Sequence, residues 1–228
     1  MLALDIHDLT MRFDGLDAPV LAIDRLHVKA GSRVAVTGAS GSGKSTLVHL
    51  LTGLERPKAG SIRWGGSDLG RLSTGRRDAF RARNIGLVMQ DFHLFPGLSA
   101  LENVLLPVRL GWRMTPDMRK RALALLDITG IARAGQPVET LSRGEMQRVA
   151  VARALLLKPS VIIADEPTAS LDRRAGEDVS ALLVRLAGEE GATLIVVTHD
   201  PALLTRLDRH IHLDGGRIVE DVRGEAAR

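Results

Sequence analysis

The sequence predicts an α/β protein: a mainly parallel sheet, an antiparallel β subdomain and an inserted α-helical subdomain. Three observations predict it. The runs Val161-Ile162-Ile163-Ala164 and Leu194-Ile195-Val196-Val197 are apolar on both faces, as parallel strands covered by helices must be. The short strand Arg33–Thr37 leads through a glycine-rich loop into the helical start Leu47-Val48-His49-Leu50-Leu51. Between about Ser99 and Leu157 the pattern turns helical before strands resume.

In chain order, Leu2–Ile6 and Val20–Ile23 alternate like strands, with Gly15 and Pro19 breaking between them. Gly60–Gly66 reads as a strand ending in a turn, and Ile85–Met89 as another short apolar strand. Thr115-Pro116 starts a helix, Thr as N-cap and Pro at the first helical position. Leu123, Leu126 and Ile128 give that helix an apolar side, and Gly130 ends it. A helix follows around Ala175–Ala187, then the strand Thr193–Val197. The pairs of runs His210–Leu213 and Arg217–Val222, around Asp214-Gly215-Gly216, read as a hairpin. With no internal repeat and no low-complexity linker, residues 1–228 are expected to form one domain, its helical insertion at approximately 91–158.

A chain of 228 residues, 45% hydrophobic and 25% charged, has the composition of an ordinary globular protein. No apolar run approaches the ~18 residues that span a bilayer, and Met1–Asp5 lacks the basic and apolar regions of a signal peptide. A soluble cytosolic protein is expected. The absence of cysteine excludes disulfides, thiolate metal sites and cysteine nucleophiles. The pI of about 10.1 overstates basicity, because the net charge is only +4 and, with no Cys or Tyr, little titrates between His and Lys. The densest basic cluster, Arg71, Arg76, Arg77, Arg81 and Arg83, is interrupted by Asp78 and reads as a solvated helix face. No nucleic-acid partner is expected.

Gly38-Ala39-Ser40-Gly41-Ser42-Gly43-Lys44-Ser45-Thr46 fits the phosphate-loop pattern G-x-x-x-x-G-K-[ST] at every required position, between a strand and a helix. The glycines let backbone N–H groups turn toward phosphate oxygens, and the helix N-terminus adds partial positive charge. Lys44 would reach the β- and γ-phosphates and Ser45 would ligate Mg²⁺. The core is therefore expected to be a P-loop NTPase. Asp165 and Glu166 close the buried run Val161–Ala164. Two adjacent carboxylates there are costly without a cation. Asp165 would hold Mg²⁺ through water, and Glu166 would polarise the attacking water. Gln90 and His199 each follow a strand, which by itself assigns neither a chemical role. Ser142 with Glu145 three residues on reads as a capping box, which accounts for those letters as structure alone.

Together these segments resemble the ATP-binding subunits of ABC transporters over essentially the whole chain. Gly38–Thr46 resembles the Walker A loop, Gln90 the Q-loop, Leu141–Glu145 the LSGGQ signature, and Val161–Glu166 Walker B with its catalytic glutamate. Ala169–Asp172 resembles the D-loop and His199 the switch histidine. The resemblance implies ATP and Mg²⁺ as cofactors, with Ser45, Gln90 and Asp165 toward the metal and Glu166, His199 and Lys44 in catalysis. It implies a head-to-tail pair of chains with ATP between one chain's Walker A loop and the other's signature. Ser142, Gly144 and Glu145 would then complete the site held by Gly38, Ser40, Gly41, Ser42, Gly43, Lys44, Ser45 and Thr46. It also implies an integral-membrane permease docked on the helical insertion, with the chain peripheral on the cytoplasmic side of the cell membrane. Three departures stand out. Phe13 is the candidate for the adenine-stacking aromatic, in a chain without Tyr; Arg143 replaces the first glycine of the signature; and Glu145 stands where Gln is usual. The segment Gln90–Val104 resembles the lipoprotein-releasing and macrolide-export branch. From the short stretch after the terminal hairpin, the regulatory domain common in importers is not expected. The alternatives are a soluble ABC ATPase acting on nucleic acid or ribosomes, and a regulator of a cell-envelope enzyme.

Overall fold

A computed structural model describes residues 1–111 and 114–223. Residues 112–113 of the expected insertion, and 224–228 of the expected domain, lie outside the described residues. In chain order the elements are β1 (Leu4–Met11), β2 (Leu21–Val28), β3 (Arg33–Thr37), α1 (Lys44–Leu51), β4 (Ala59–Trp64) and β5 (Ser67–Asp68). Then follow α2 (Thr74–Asn84), β6 (Ile85–Val88), α3 (Ala100–Gly111), α4 (Pro116–Ile128) and α5 (Arg143–Leu155). The chain continues with β7 (Val161–Asp165), α6 (Arg173–Glu189), β8 (Thr193–Val197), α7 (Pro201–Leu204), β9 (Arg209–Asp214) and β10 (Arg217–Arg223).

Six strands form one sheet in the order β10-β9-β3-β8-β7-β6, parallel except for the β9–β10 hairpin. The other sheet, β2-β1-β4-β5, is antiparallel. Alternation along the parallel strands splits the core in two. Ala35, Ile162, Ala164, Leu194 and Val196 join the cluster built with α3–α6. Val34, Val36, Val161, Ile163, Ile195 and Val197 join the cluster built with α1 and the antiparallel sheet. Both faces are covered, which is why the central positions of these strands are apolar without alternation. Fully buried Trp64 donates its indole N–H to the Leu51 carbonyl at 2.9 Å and so ties β4 to the end of α1.

The expected helices and hairpin form with shifts of up to three residues at their ends, the largest at α1, which begins at Lys44 and not at Leu47. Thr115 caps α4 by accepting from the Met118 N–H, and Pro116 opens the helix. Its buried side, however, is Ala122, Leu125 and Leu126, whereas Leu123 and Ile128 are 41% and 47% exposed. At 100° per residue Leu123 and Ile128 fall away from the stripe through Ala122, Leu125 and Leu126, so of the apolar side expected from the sequence only Leu126 is buried. The arginine-rich α2 buries none of its residues, and Arg81 pairs with Asp78 at 2.7 Å, as a solvated face does.

Candidate active site

The parallel sheet alone brings the distant motifs together. Strands β3, β8, β7 and β6 are neighbours and run the same way, so their carboxyl ends share one edge. From that edge emerge the phosphate loop, His199, the Asp165-Glu166 pair and Gln90. Ligands bind at this end of open α/β sheets because loops and helix N-termini converge there. The cleft has a volume of ≈ 540 Å³ and is lined by Val20, Gly38, Ser40, Gly41, Gly43, Lys44, Ser45, Thr46, Gln90, Asp165, Glu166 and His199.

Glycine is required at two points of the loop. Gly38 has φ 150°, and a Cβ there would lie 2.3 Å from the Leu213 carbonyl oxygen and 2.5 Å from Ser42 Oγ. Gly43, the N-cap of α1, has φ 98°, and its Cβ would lie 2.8 Å from the Val20 carbonyl. The Lys44 ammonium donates to the carbonyls of Gly38 and Ala39 at 2.6 and 2.8 Å, clasping the loop around the α1 N-terminus. Ser42 is buried beneath it, its hydroxyl without a hydrogen-bond partner.

Asp165 ends β7 and is half-buried. Burial, then the adjacent Glu166 charge, push its carboxyl above the ordinary range; His49 and Lys44 oppose the rise. Glu166 adopts φ 46°, a left-handed backbone that costs a non-glycine residue about 1–3 kcal/mol. Its N–H is held by the Val197 carbonyl at 2.8 Å. One carboxylate oxygen meets His199 Nδ1 at 2.9 Å, and the other is buried without a partner. The imidazole is exposed, so the pair faces the cleft with one end free to move. A strained acid with an unpartnered oxygen, beside a histidine, can polarise a water brought against it.

A second cavity, of ≈ 470 Å³, opens at the start of α5 and is lined by Ser142, Arg143, Gly144, Arg148, Ser170, Leu171, Asp172, Arg174, Ala175 and Asp178. It shares no residue with the first cleft. Ser142 Oγ accepts the Glu145 N–H while the Glu145 carboxylate accepts the Ser142 N–H, the full capping box. Bonds from Ser142 lower the Glu145 pKa. The buried Gln147 donates to the Pro167 carbonyl at 2.8 Å, seating α5 on the loop that follows Glu166.

Most of the sequence-predicted residues thus line one cavity or the other, in two groups. Three do not. Ser42 lies under the loop. The Glu145 carboxylate folds back onto Ser142 instead of lining the cavity. Phe13, expected to stack on adenine, lies off the wall and is 39% exposed, in the turn whose Leu16 N–H meets the Phe13 carbonyl; Val20, nearer β2, lines the cleft. Sequence reasoning missed Val20, because it read as an ordinary strand residue. It also missed Arg153, which donates to the carbonyls of Phe92 and His93 at 2.6 and 2.5 Å. Those two residues follow Gln90 with φ 56° and 45°, and no local signal marks a long-range arginine as their clamp.

The family model described as "ABC transporter" matches residues 21–169. The chain is 44% identical over 207 residues to the lipoprotein-releasing system ATP-binding protein LolD of Chromohalobacter salexigens, covering 90% of this chain and 87% of that one. It is 40% identical over 221 residues to the protein of the same description from Geobacter metallireducens, covering 96% and 98%. Among solved structures, the dimeric post-hydrolysis state of the ATP-binding cassette MJ0796 bound to ADP and Pi superposes with a TM-score of 0.87 at 35% identity, over 96% of this chain and 98% of that one. The cbiO1 protein from Clostridium perfringens, part of the transporter complex cbiONQ, superposes with a TM-score of 0.86 at 30% identity, over 96% and 88%. The chain belongs to the ABC transporter family, of which it is an ATP-binding, ATP-hydrolysing cassette.

Proposed function

We infer that the chain powers a membrane complex of the lipoprotein-releasing type, closing as an ATP-bridged pair and reopening on hydrolysis. The observation that carries the reading is the separation of the two cavities. The phosphate loop and the Asp165-Glu166-His199 group line one, the Ser142–Gly144 edge lines the other, and they share no residue. In this reading a nucleotide in the first is completed by the second cavity of another copy. The dimeric cassette relative and the lipoprotein-releasing relatives support the same reading.

In this reading Lys44 leaves its own carbonyls for the β- and γ-phosphates, and the loop N–H groups of Gly41–Ser45 hold the phosphate oxygens. Ser45, Gln90 and Asp165 would hold Mg²⁺. Their hydroxyl, amide and carboxylate oxygens suit a hard cation, and among the described residues no three His, Asp or Glu side chains converge to compete for another metal. Bound there, the ion would neutralise phosphate charge, and it would relieve the cost of two adjacent half-buried carboxylates. Glu166 takes the proton of the attacking water, and His199 orients Glu166 and meets the γ-phosphate. Ser142 and Gly144 contact that phosphate from the other copy, at a capped helix N-terminus. Phe13 remains the proposed adenine-stacking ring and Gln90 the link to the helical insertion, where the permease docks. Among the described residues no helix is long and apolar enough to cross a membrane; in this reading attachment runs through that partner. Residues 1–228 act as one domain with the insertion at about 91–158.

The test is affinity purification of the Glu166→Gln protein from detergent-solubilised native cells with ATP and Mg²⁺, with the bound chains identified by mass spectrometry. A polytopic membrane protein with a large extracytoplasmic domain is expected. Ribosomal proteins or nucleic acid, without any membrane protein, would overturn the transporter partner and leave the ATPase standing.

A further inference from the structure

Arg143 stands where the signature pattern has glycine, and its side chain reaches two other segments. Its Nε donates to the Ser170 carbonyl at 2.8 Å, in the loop that follows Glu166. Its guanidinium carbon sits 5.2 Å from the centroid of the Phe92 ring, in the left-handed turn that follows Gln90. Phe92 is buried, and its carbonyl is held by Arg153 from the far end of the same helix. Gly144 packs so closely on α6 that a Cβ would lie 3.1 Å from Ala175 Cβ, and Gln147 donates to the Pro167 carbonyl, so α5 already meets both α6 and the loop that precedes it. Arg143 reaches the turn after Gln90 through the Phe92 ring.

We propose that Arg143 is a positioning residue that binds the α5 N-terminus, the turn after Gln90 and the loop after Glu166 into one unit, so that the Ser142–Gly144 edge and both switch segments shift together when ATP closes two chains. The proposal rests on the ATP-bridged pair described above. A planar guanidinium can lie over a ring and donate from its Nε edge at once, which the point charge of a lysine cannot. The departure from glycine thus adds a linkage and leaves the phosphate-facing N–H groups of the helix start in place.

The experiment uses the Glu166→Gln chain, titrated with ATP at fixed Mg²⁺, with dimer formation read by light scattering and binding to the monomer by a trinitrophenyl-ATP probe. Arg143→Ala is expected to raise the ATP concentration at the dimerisation midpoint about 3–10-fold, the effect of one cation–π contact and one hydrogen bond. Probe binding stays within about 2-fold of the parent, which also shows that the variant is folded. Phe92→Leu gives a shift of similar direction, and the double variant is little worse than either single one, because both break the same link. Arg143→Lys does not restore the parent midpoint. An unchanged midpoint in Arg143→Ala, strict additivity with Phe92→Leu, or full rescue by lysine would each overturn the proposal. A parent chain that binds no probe and forms no dimer would instead sink the functional reading on which it rests.

Discussion

The two cavities are built by opposite strategies. The phosphate-loop cleft sits on the ends of four buried parallel strands and is held partly unsatisfied: Glu166 is strained with an unpartnered oxygen, Ser42 is buried without a partner, and Asp165 resists ionisation. The cavity at the start of α5 is bonded mainly within its own helix start, where Ser142 and Glu145 close a capping box and Arg143 donates to the Ser170 carbonyl, while Arg148 Nε and Gln147 Oε1 lie buried without partners behind it. The first holds reactive groups in a rigid frame that a ligand completes. The second is a ready-made helix terminus that needs no ligand to be stable. Chemistry belongs to the strained side, and recognition of the closed state to the relaxed one.

Changes on the strained side should therefore act on turnover and nucleotide affinity, and changes on the relaxed side on stability and closure. The largest effect is expected for Glu166→Gln, with phosphate release falling about 10²–10⁴-fold and probe binding retained. Unchanged steady-state hydrolysis would remove Glu166 from catalysis. Lys44→Ala should weaken ATP binding about 10–100-fold, the loss of charge-assisted bonds to phosphate. Equal affinities, measured by calorimetry on the two proteins, would mean that the ammonium stays on the Gly38 and Ala39 carbonyls.

Ser142→Ala crosses to the relaxed side. Loss of an N-cap costs about 1 kcal/mol, or ~2–4 °C in Tm for a chain of this size, with monomer nucleotide binding unaffected. A fall in monomer affinity would contradict the separation of the cavities. Asp165→Asn should do the reverse of Ser142→Ala and raise the Tm of the nucleotide-free protein. The folded chain keeps the Asp165 proton to higher pH than the unfolded chain, so stability falls as pH rises from about 3.9 through the raised value, and stays lower above it. Thermal melts across that window should show the parent losing stability relative to the variant as pH rises, the lowered carboxylates being common to both. The smallest effect belongs to Glu145→Gln, because either side chain can accept the Ser142 N–H. Glu145 is held below its ordinary range, so its contribution is present above about 4.3 and lost as pH falls through the lowered value. Melts at neutral pH should coincide, and the variant should lack that acid loss.

Much of this was legible in the residues. Val161–Ala164 and Leu194–Val197 form buried parallel strands because an all-apolar run admits no solvated face. The phosphate loop was readable because its glycines, lysine and serine answer to local backbone geometry. The side of α4 was not: Leu123 and Ile128 are apolar yet exposed, since only the neighbours of a helix decide which part of its surface is covered. Glu145 and Phe13 show the same limit, one turned back on its own cap and the other off the cleft wall.

What the sequence determined by itself is whatever depends on a few consecutive residues: which runs become strands or helices, where glycine must sit, which helix starts are capped. What only the tertiary structure decided is which of those pieces meet. Gln90, Glu166 and His199 share an edge because β6, β7 and β8 pair in parallel, and Phe92, Arg143 and Ser170 meet because α5 packs between the turn and the loop. Propensity and capping act over a turn of chain, whereas these meetings are set by burial and strand pairing between segments far apart in the sequence, which no local pattern records.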